Sequence, residues 1–185
     1  MKLNLGSGPN KILGHINVDR EIMFEPDVLH DLEHFPWPFD DNSAETIVAS
    51  HVLEHLGQAP SVFCGVMQEI YRVLVPGGKL ELRVPHHRSE MYFGDPTHVR
   101  AITTNLLSLF SKRNCHDFIA KKWPNTPLAI YLDVDLELTH TNFVLTPYWA
   151  HKWSNRMLSK DELDYAMATY NNVVDEVAMT LIKAS

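Results

Sequence analysis

The length, composition and charge of this chain limit what the protein can be. Apolar residues make up 45% of its 185 residues, enough to bury one substantial core, so we expect a single domain over residues 1–185. With 16 basic and 23 acidic residues the formal charge is -7, which argues against duplex nucleic acid as a partner. No apolar run is long enough for a membrane span and no signal segment precedes the first strand, so we expect a cytoplasmic protein with no membrane contact.

Short apolar runs alternate with helical patterns, which predicts an α/β fold with a mainly parallel, doubly wound sheet. The predicted parallel strands cover residues 2–5, 16–18, 28–32, 45–50 and 79–84. Residues 128–139 and 143–146 predict an antiparallel pair at the sheet edge. Only about ten residues separate the first two strands, whereas a parallel crossover with its helix needs a dozen or more, so the first crossover is predicted to lack a full helix.

Three longer segments have helical patterns. Residues 61–74 place apolar side chains at steps of three and four and predict an amphipathic helix, which a Pro-Gly-Gly turn then ends. A second helix is predicted from residue 97 to about residue 112. A third is predicted from residue 159 to about residue 183, with Ser159 and Glu162 as a capping box at its start.

Residues suited to ligand binding follow the first three predicted strands. The first strand leads into Gly6-Ser7-Gly8, where glycine permits a sharp turn and lets a ligand approach the backbone closely. Asp19 follows the second strand, and Asp31-Leu32 ends the third. Because the carboxyl ends of parallel strands meet at one crevice, these residues predict a nucleoside-binding site. The structural alternative for both aspartates is that they only cap turns.

A second motif, His51-Val-Leu-Glu54-His55, follows the fourth strand directly after Ser50. Side chains three and four residues apart project from one face of a helical turn, so the three can converge at the crevice. The segment around His98 is expected to bring a further histidine over the same crevice. Histidine and glutamate suit proton removal from an acceptor, so the candidate catalytic residues are His51, Glu54, His55 and His98.

As a bare pattern, H-x-x-E-H is also a zinc hydrolase signature, in which two histidines bind the metal and the glutamate activates water. That chemistry needs the motif well inside a helix. Here the β-prone residues 46–50 precede the motif, and Gly57 and Pro60 close it within two turns. A zinc hydrolase is therefore kept only as a remote alternative, and the pattern assigns no metal ligand.

The order of these motifs resembles that of class I S-adenosylmethionine-dependent methyltransferases. Residues 3–8 are similar to their first motif, Asp19 to their ribose-binding acid and Asp31-Leu32 to their adenine-side residues. Residues 50–56 and 69–85 are similar to the segments that follow. The resemblance covers more than half of the chain and is closest to a predicted small-molecule group with an equally short first crossover, for which the substrate is generally not assigned.

The resemblance implies a Rossmann-like fold, S-adenosylmethionine as cofactor and methyl transfer to a small-molecule acceptor, with a hydroxyl as one candidate. It places the cofactor at Gly6, Ser7, Gly8, Asp19, Asp31, Leu32, Ser50 and His51. Residues 1–85 would form the cofactor half and residues 86–185 the acceptor side. In some methyltransferases that act on hydroxyls, a similar segment binds a divalent ion through two glutamates and a histidine. Here His51 replaces the first of those glutamates, which favours zinc over magnesium, or no metal at all.

Two other classes of function stay open. A catalytically silent module that binds S-adenosylmethionine or S-adenosylhomocysteine, and regulates or scaffolds a partner, would keep the cofactor half and lack an acceptor pocket. A nicotinamide enzyme is less favoured, because the glycine turn lacks the third glycine of the dinucleotide fingerprint. The sequence gives no indication of the acceptor's identity or of the oligomeric state.

Overall fold

The computed structural model describes residues 1–184 and contains a seven-stranded mixed sheet. The strands are β1 (Lys2–Leu5), β2 (Ile16–Asp19), β3 (Val28–Leu29), β4 (Ala44–Ser50), β5 (Leu74–Pro85), β6 (Leu136–Leu145) and β7 (Val174–Lys183). Their order across the sheet is β3-β2-β1-β4-β5-β7-β6. Strands β1 to β5 pair in parallel, whereas β7 runs antiparallel to both β5 and β6. The predicted Rossmann-like sheet with an antiparallel edge pair is confirmed.

Seven α-helices connect or flank the strands within residues 1–184. They are α1 (Pro60–Val73), α2 (Glu90–Phe93), α3 (Thr104–Ser108), α4 (Lys112–Ala120), α5 (Leu128–Tyr131), α6 (Pro147–Ser154) and α7 (Lys160–Thr169). Helix α1 confirms the helix predicted over 61–74 and buries Phe63, Val66 and Ile70 in the hydrophobic core. Ser159 and Glu162 form the predicted capping box of α7. In the part of the chain that the structure describes, no helix combines the length and the apolar character needed to cross a membrane.

Two of the predicted helices are wrong in extent. The helix expected over 97–112 is instead a loop followed by α3 and α4, because the side chains of Thr103 and Ser111 each cap the start of a new helix. The C-terminal helix ends at Thr169, and the following residues form β7 rather than continuing to residue 183. Burial alternates along β7, which is the periodicity of a strand and not of a helix.

Several strand predictions are also corrected. Residues 128–131 are helical, and the two strands expected over 128–146 are one strand, β6, whose partner is the C-terminal strand β7. The pairing of β6 with β7 shifts register between Leu138 and His140. The Pro-Gly-Gly turn lies inside β5, where residues 75–78 bulge between two registers of pairing with β4. Strand β3 has only two residues and therefore ends before Asp31.

The first crossover has no α-helix, as its short spacing predicted. The amide of Asn4 donates to the carbonyl of Asn10 at 3.1 Å and to Oδ1 of Asn17 at 2.9 Å. The same Oδ1 accepts the backbone N–H of Ile12 at 2.8 Å. Buried amides thus hold this connection where a helix would otherwise cover the strands. The second crossover contains only a 3-10 helix, Ile22–Phe24.

One face of the central sheet is consequently open. Because crossovers are right-handed, the β1–β2 and β2–β3 connections would place their helices on one face, and the β4–β5 connection places α1 on the other. On β5 the leucines and valine at 80, 82 and 84 are buried, whereas Lys79, Glu81 and Arg83 are exposed. The exposed residues 81 and 83 line a cavity of about 800 Å³. The prediction of helices on both faces does not hold at this central part of the sheet.

Candidate functional site

A cavity of about 350 Å³ lies at the carboxyl ends of β1, β2 and β4, and we call it the crevice. Its lining includes the predicted cofactor residues Gly6, Asp19, Asp31, Leu32 and His51. Ser7, Gly8 and Ser50, also predicted to bind the cofactor, line the larger cavity on the open sheet face, which shares Gly6 and His51 with the crevice. The volume of the crevice falls within the range of small-molecule sites.

The glycine turn after β1 is built around left-handed backbone and one carboxylate. Gly6 has φ 56° and Gly8 has φ 47°, values that glycine adopts at no steric cost. A Cβ at Gly6 would also come within 2.6 Å of the side chain of Val52. Oδ2 of Asp19 accepts the N–H of Gly8 at 2.7 Å, and Oδ1 accepts that of Glu21 at 2.9 Å. Asp19 therefore caps the turn, and each of its oxygens keeps a further lone pair for a ligand.

The second aspartate of the crevice also caps a turn. Oδ1 of Asp31 accepts the N–H of Glu33 at 3.0 Å, and Oδ2 lies 3.2 Å from Nδ1 of His34. About a third of the Asp31 side chain, 33%, is exposed. The neighbouring Leu32 is buried, and its carbonyl accepts the indole N–H of Trp37 at 3.0 Å. This side of the crevice is therefore held in place by hydrogen bonds within the protein.

His51 occupies a strained position directly after β4. Its φ of 55° lies in the left-handed region, which non-glycine residues seldom adopt. Nε2 lies 2.9 Å from Oε1 of Glu176. Nη1 of Arg83 donates a hydrogen bond to Oε2 of the same carboxylate at 2.7 Å. Nδ1 lies 3.3 Å from Oε1 of Glu54 without the alignment of a hydrogen bond. The carboxylate of Glu54, and then that of Glu176, raises the pKa of His51 above its ordinary value against the opposing effect of burial.

Three side chains of ligand type meet beside the crevice, and we call Glu54, His55 and His98 the Glu54 cluster. Their ligand atoms lie within 4.8 Å of one another, and the two imidazole rings have centroids 4.6 Å apart. The 3-10 helix Leu53–His55 carries the first two residues. Val99 donates its N–H to the carbonyl of Glu54 at 2.9 Å, which holds the loop that bears His98 against this helix.

Hydrogen bonds determine which nitrogen of each cluster histidine carries the hydrogen. Nδ1 of His98 lies 2.7 Å from the carbonyl of Tyr92, which only accepts, so Nδ1 is the donor. Nδ1 of His55 lies 2.9 Å from Oγ1 of Thr97, and that hydroxyl gives its own hydrogen to Asp95 at 2.6 Å. Nδ1 of His55 must therefore donate as well. In the neutral rings both Nε2 atoms are left with a free lone pair.

Glu54 is the most unusual member of the cluster. Its side chain is completely buried, at 0% exposure, and neither carboxylate oxygen has a hydrogen-bond partner in residues 1–184. A buried carboxylate without partners is costly, so an unsatisfied one in a folded protein requires an explanation. The zinc hydrolase alternative has no support, because Glu54 and His55 lie in a single 3-10 turn and not well inside an α-helix.

The structure brings together most of the predicted catalytic residues and adds neighbours that the sequence did not reveal. Glu54, His55 and His98 converge as expected, whereas His51 contacts the cluster only through its 3.3 Å approach to Glu54. The prediction overlooked the supporting roles of Asp95 and Thr97. The Asp-Pro-Thr sequence at 95–97 is typical of an Asx turn, and it was the available signal that a loop and not a helix presents His98.

Comparison with known proteins identifies the fold and finds a methyltransferase domain match over part of the chain. Residues 15–82 match the family model described as a methyltransferase domain. No curated protein matches the sequence. A solved S-adenosylmethionine-dependent methyltransferase from Archaeoglobus fulgidus is similar, with 16% identity, coverage of 98% of this chain and 85% of that chain, and a TM-score of 0.61.

Two further solved structures share the fold. An S-adenosylmethionine-dependent methyltransferase from Mesorhizobium loti has 11% identity, coverage of 98% of this chain and 90% of that chain, and a TM-score of 0.51. The cyclase SpnF has 16% identity, coverage of 99% of this chain and 75% of that chain, and a TM-score of 0.54. At such identities the likeness concerns the fold, and the family match adds the sequence from β2 into β5. The chain therefore has the fold of S-adenosylmethionine-dependent methyltransferases, and the match of residues 15–82 to a methyltransferase domain supports S-adenosylmethionine as its cofactor.

Proposed function

We propose that this protein transfers the methyl group of S-adenosylmethionine to a hydroxyl of a small molecule. One observation carries the proposal: the crevice gathers Gly6, Asp19 and Asp31 at the carboxyl ends of parallel strands, and His55 of the Glu54 cluster lines the same crevice. A site for a nucleoside thus lies next to groups that can remove a proton.

The residues of the crevice fit the cofactor. The second lone pairs of the Asp19 carboxylate suit the ribose hydroxyls, and Asp31 with the backbone of Leu32 suits the adenine edge. The methionine part belongs at the glycine turn, where the buried hydroxyl of Ser7 has no hydrogen-bond partner among residues 1–184. There is open space where a Cβ of Gly8 would stand, so a ligand can approach the backbone. When bound, S-adenosylmethionine supplies an electrophilic methyl group on a sulfonium.

The protein has to align the acceptor hydroxyl and accept its proton, and alignment supplies much of the rate enhancement in such displacements. The free Nε2 atoms of His55 and His98 suit the proton-accepting step. His51 is placed differently: it lies between the carboxylates of Glu54 and Glu176, so we assign it to positioning the turn rather than to acting as a base.

The cofactor assignment is tested by calorimetric titration with S-adenosylhomocysteine. We expect saturable binding, weakened at least about tenfold in Asp19→Asn, because an uncharged amide accepts hydrogen bonds from the ribose less strongly. Glu21→Gln, an exposed change in the same loop, is the matched control and should leave the affinity unchanged. If wild-type protein does not bind S-adenosylhomocysteine, the proposal is wrong.

The transfer itself is tested with S-adenosylmethionine labelled on its methyl group and a pool of hydroxylated metabolites. Label in a methyl ether supports the hydroxyl as acceptor, and label on nitrogen or sulfur contradicts it. Saturable cofactor binding without transfer to any metabolite would instead favour the catalytically silent binding module.

A further inference from the structure

The geometry points to a divalent-cation site formed by Glu54, His55 and His98, which takes a borderline metal such as Zn²⁺ and presents it to the acceptor hydroxyl. One carboxylate and two imidazoles form a ligand set that such metals favour. The ligand atoms already lie within 4.8 Å of one another, so an ion placed among them could contact all three after small side-chain movements.

The two histidines are prepared for this role. A histidine that binds a metal through one nitrogen commonly donates its other N–H to a carbonyl or to another acceptor, which fixes the ring. Nδ1 of His98 does so to the carbonyl of Tyr92, and Nδ1 of His55 does so to the hydroxyl of Thr97. The hydroxyl of Thr97 in turn donates its hydrogen to Asp95, which fixes the orientation of the hydroxyl.

Glu54 supplies an independent observation. Both of its oxygens are buried without a hydrogen-bond partner, so the carboxylate lacks the donors that normally compensate burial of its charge. His51 does not compensate the buried charge of Glu54. Its Nδ1 approaches only one oxygen of Glu54, Oε1, with poor alignment, and its Nε2 contacts Glu176 instead. A cation among the three side chains satisfies the carboxylate directly.

The position of the site indicates its use. His55 and Thr97 line the crevice, so the ion would lie beside the bound cofactor. Three protein ligands leave coordination positions open, and an acceptor hydroxyl bound there loses its proton more readily. With the ion bound, the Nε2 atoms of His55 and His98 would be ligands and would no longer accept the proton, so the hydroxyl proton passes to solvent. In the transfer the carbon–oxygen bond forms and the carbon–sulfur bond breaks with its electron pair on sulfur. This role rests on the proposed function, whereas binding of the metal does not.

The test uses the full chain without an affinity tag, stripped with a chelator and titrated with Zn²⁺ by calorimetry and with Co²⁺ by visible absorption. We expect one equivalent of tight binding and ligand-field bands from bound Co²⁺. Glu54→Gln and His98→Gln should each weaken Zn²⁺ binding at least about tenfold. Even substitutions of residues that only support metal ligands cost about tenfold or more in metal affinity. His30→Gln, a change of a histidine that lines the crevice outside the cluster, is the matched control.

The proposed site would be overturned if the wild-type chain did not bind one equivalent of Zn²⁺. It would also be overturned if Glu54→Gln and His98→Gln bound Zn²⁺ as tightly as the wild-type chain. A folding check accompanies each variant: Zn²⁺ should raise the unfolding midpoint of wild-type and His30→Gln protein, and not that of Glu54→Gln. Titration with S-adenosylhomocysteine separates the two proposals. Zn²⁺ binding without binding of this nucleoside would sustain the metal site and refute the proposed function, and the reverse result would refute only the metal site.

Discussion

Two buried glutamates of this protein have opposite surroundings. Glu69, on α1, accepts the N–H of Trp37 at 2.6 Å and two hydrogen bonds from Arg72 at 2.7 and 2.9 Å. Burial alone would raise the pKa of Glu69, and the bonds from Arg72 and Trp37 outweigh it, so the net direction is down. Glu54, beside the crevice, is more deeply buried and has no hydrogen-bond partner in the described part of the chain.

The difference shows that burial alone does not reveal what a charged side chain does. Glu69 has its donors within the protein and connects α1 to the loop before β4, so its contribution is to stability. Within residues 1–184, Glu54 is held without donors next to His55, which lines the crevice, so its burial is a cost to the unliganded fold. The following substitutions test this contrast, beginning with the largest expected effect.

Glu69→Gln should lower the free energy of unfolding by about 2 kcal/mol at neutral pH, because it leaves Arg72 with only the exposed carboxylate of Asp41 and weakens the bond to Trp37. The folded pKa of Glu69 is below its ordinary value of 4.5, so this stability is fully present above that value and is lost as the pH falls through the lower folded value. Urea unfolding at pH 7 and at about pH 3 measures both effects. Equal losses at the two pH values would contradict the assignment.

Glu54→Gln should change stability in the opposite direction. In metal-free protein we expect the free energy of unfolding to rise by about 1 kcal/mol, because the variant buries a neutral amide in place of an unsatisfied charge. Glu45→Gln, on an exposed residue, serves as the control and should change stability by less than about 0.5 kcal/mol. A loss as large as that of Glu69→Gln would mean that Glu54 has a stabilising partner and that the contrast is wrong.

His51→Asn gives the smallest effect and examines the nearest candidate partner of Glu54. Asparagine tolerates the left-handed backbone better than most residues, so the substitution removes the ring without adding backbone strain. We expect a loss of only about 0.5 kcal/mol, since the side chain is 35% exposed and its contact with Glu54 is poorly aligned. His51 also contacts Glu176 at 2.9 Å, so the substitution is repeated in Glu176→Gln protein. A loss above about 1.5 kcal/mol in urea unfolding that persists there would show that His51 already satisfies the carboxylate of Glu54.

The geometry of the glycine turn and of Asp19 was predictable because it is determined locally. The turn at Gly6 and Gly8 is encoded by the glycines themselves, and the placement of Asp19 follows from the end of a short strand. The Glu54 cluster was only partly predictable. Glu54 and His55 are neighbours in sequence, but His98 reaches them through a loop that is fixed by N–H groups of residues 99 and 100 on the carbonyl of Glu54.

The errors in the fold also come from contacts between distant segments. Strand β7 was predicted as a helix, and it is a strand because it inserts between β5 and β6. Its alternation was nonetheless visible at Val177, Met179 and Leu181. Polar and apolar residues also alternate in Lys79-Leu-Glu-Leu-Arg83, which is typical of a strand with one face exposed to solvent. A parallel strand that is covered on both faces has a continuous apolar run instead. This alternation could have predicted the open sheet face.

The two edges of the sheet have consequences for how copies of this protein behave toward one another. An edge strand with unpaired N–H and C=O groups can recruit a strand from another chain and start aggregation. Strand β3 has only two residues, too few to template such pairing, and β6 carries register shifts near Leu138 and Val144 that interrupt a regular ladder. The fold therefore discourages edge-to-edge growth on both sides while one face of its sheet stays open to solvent.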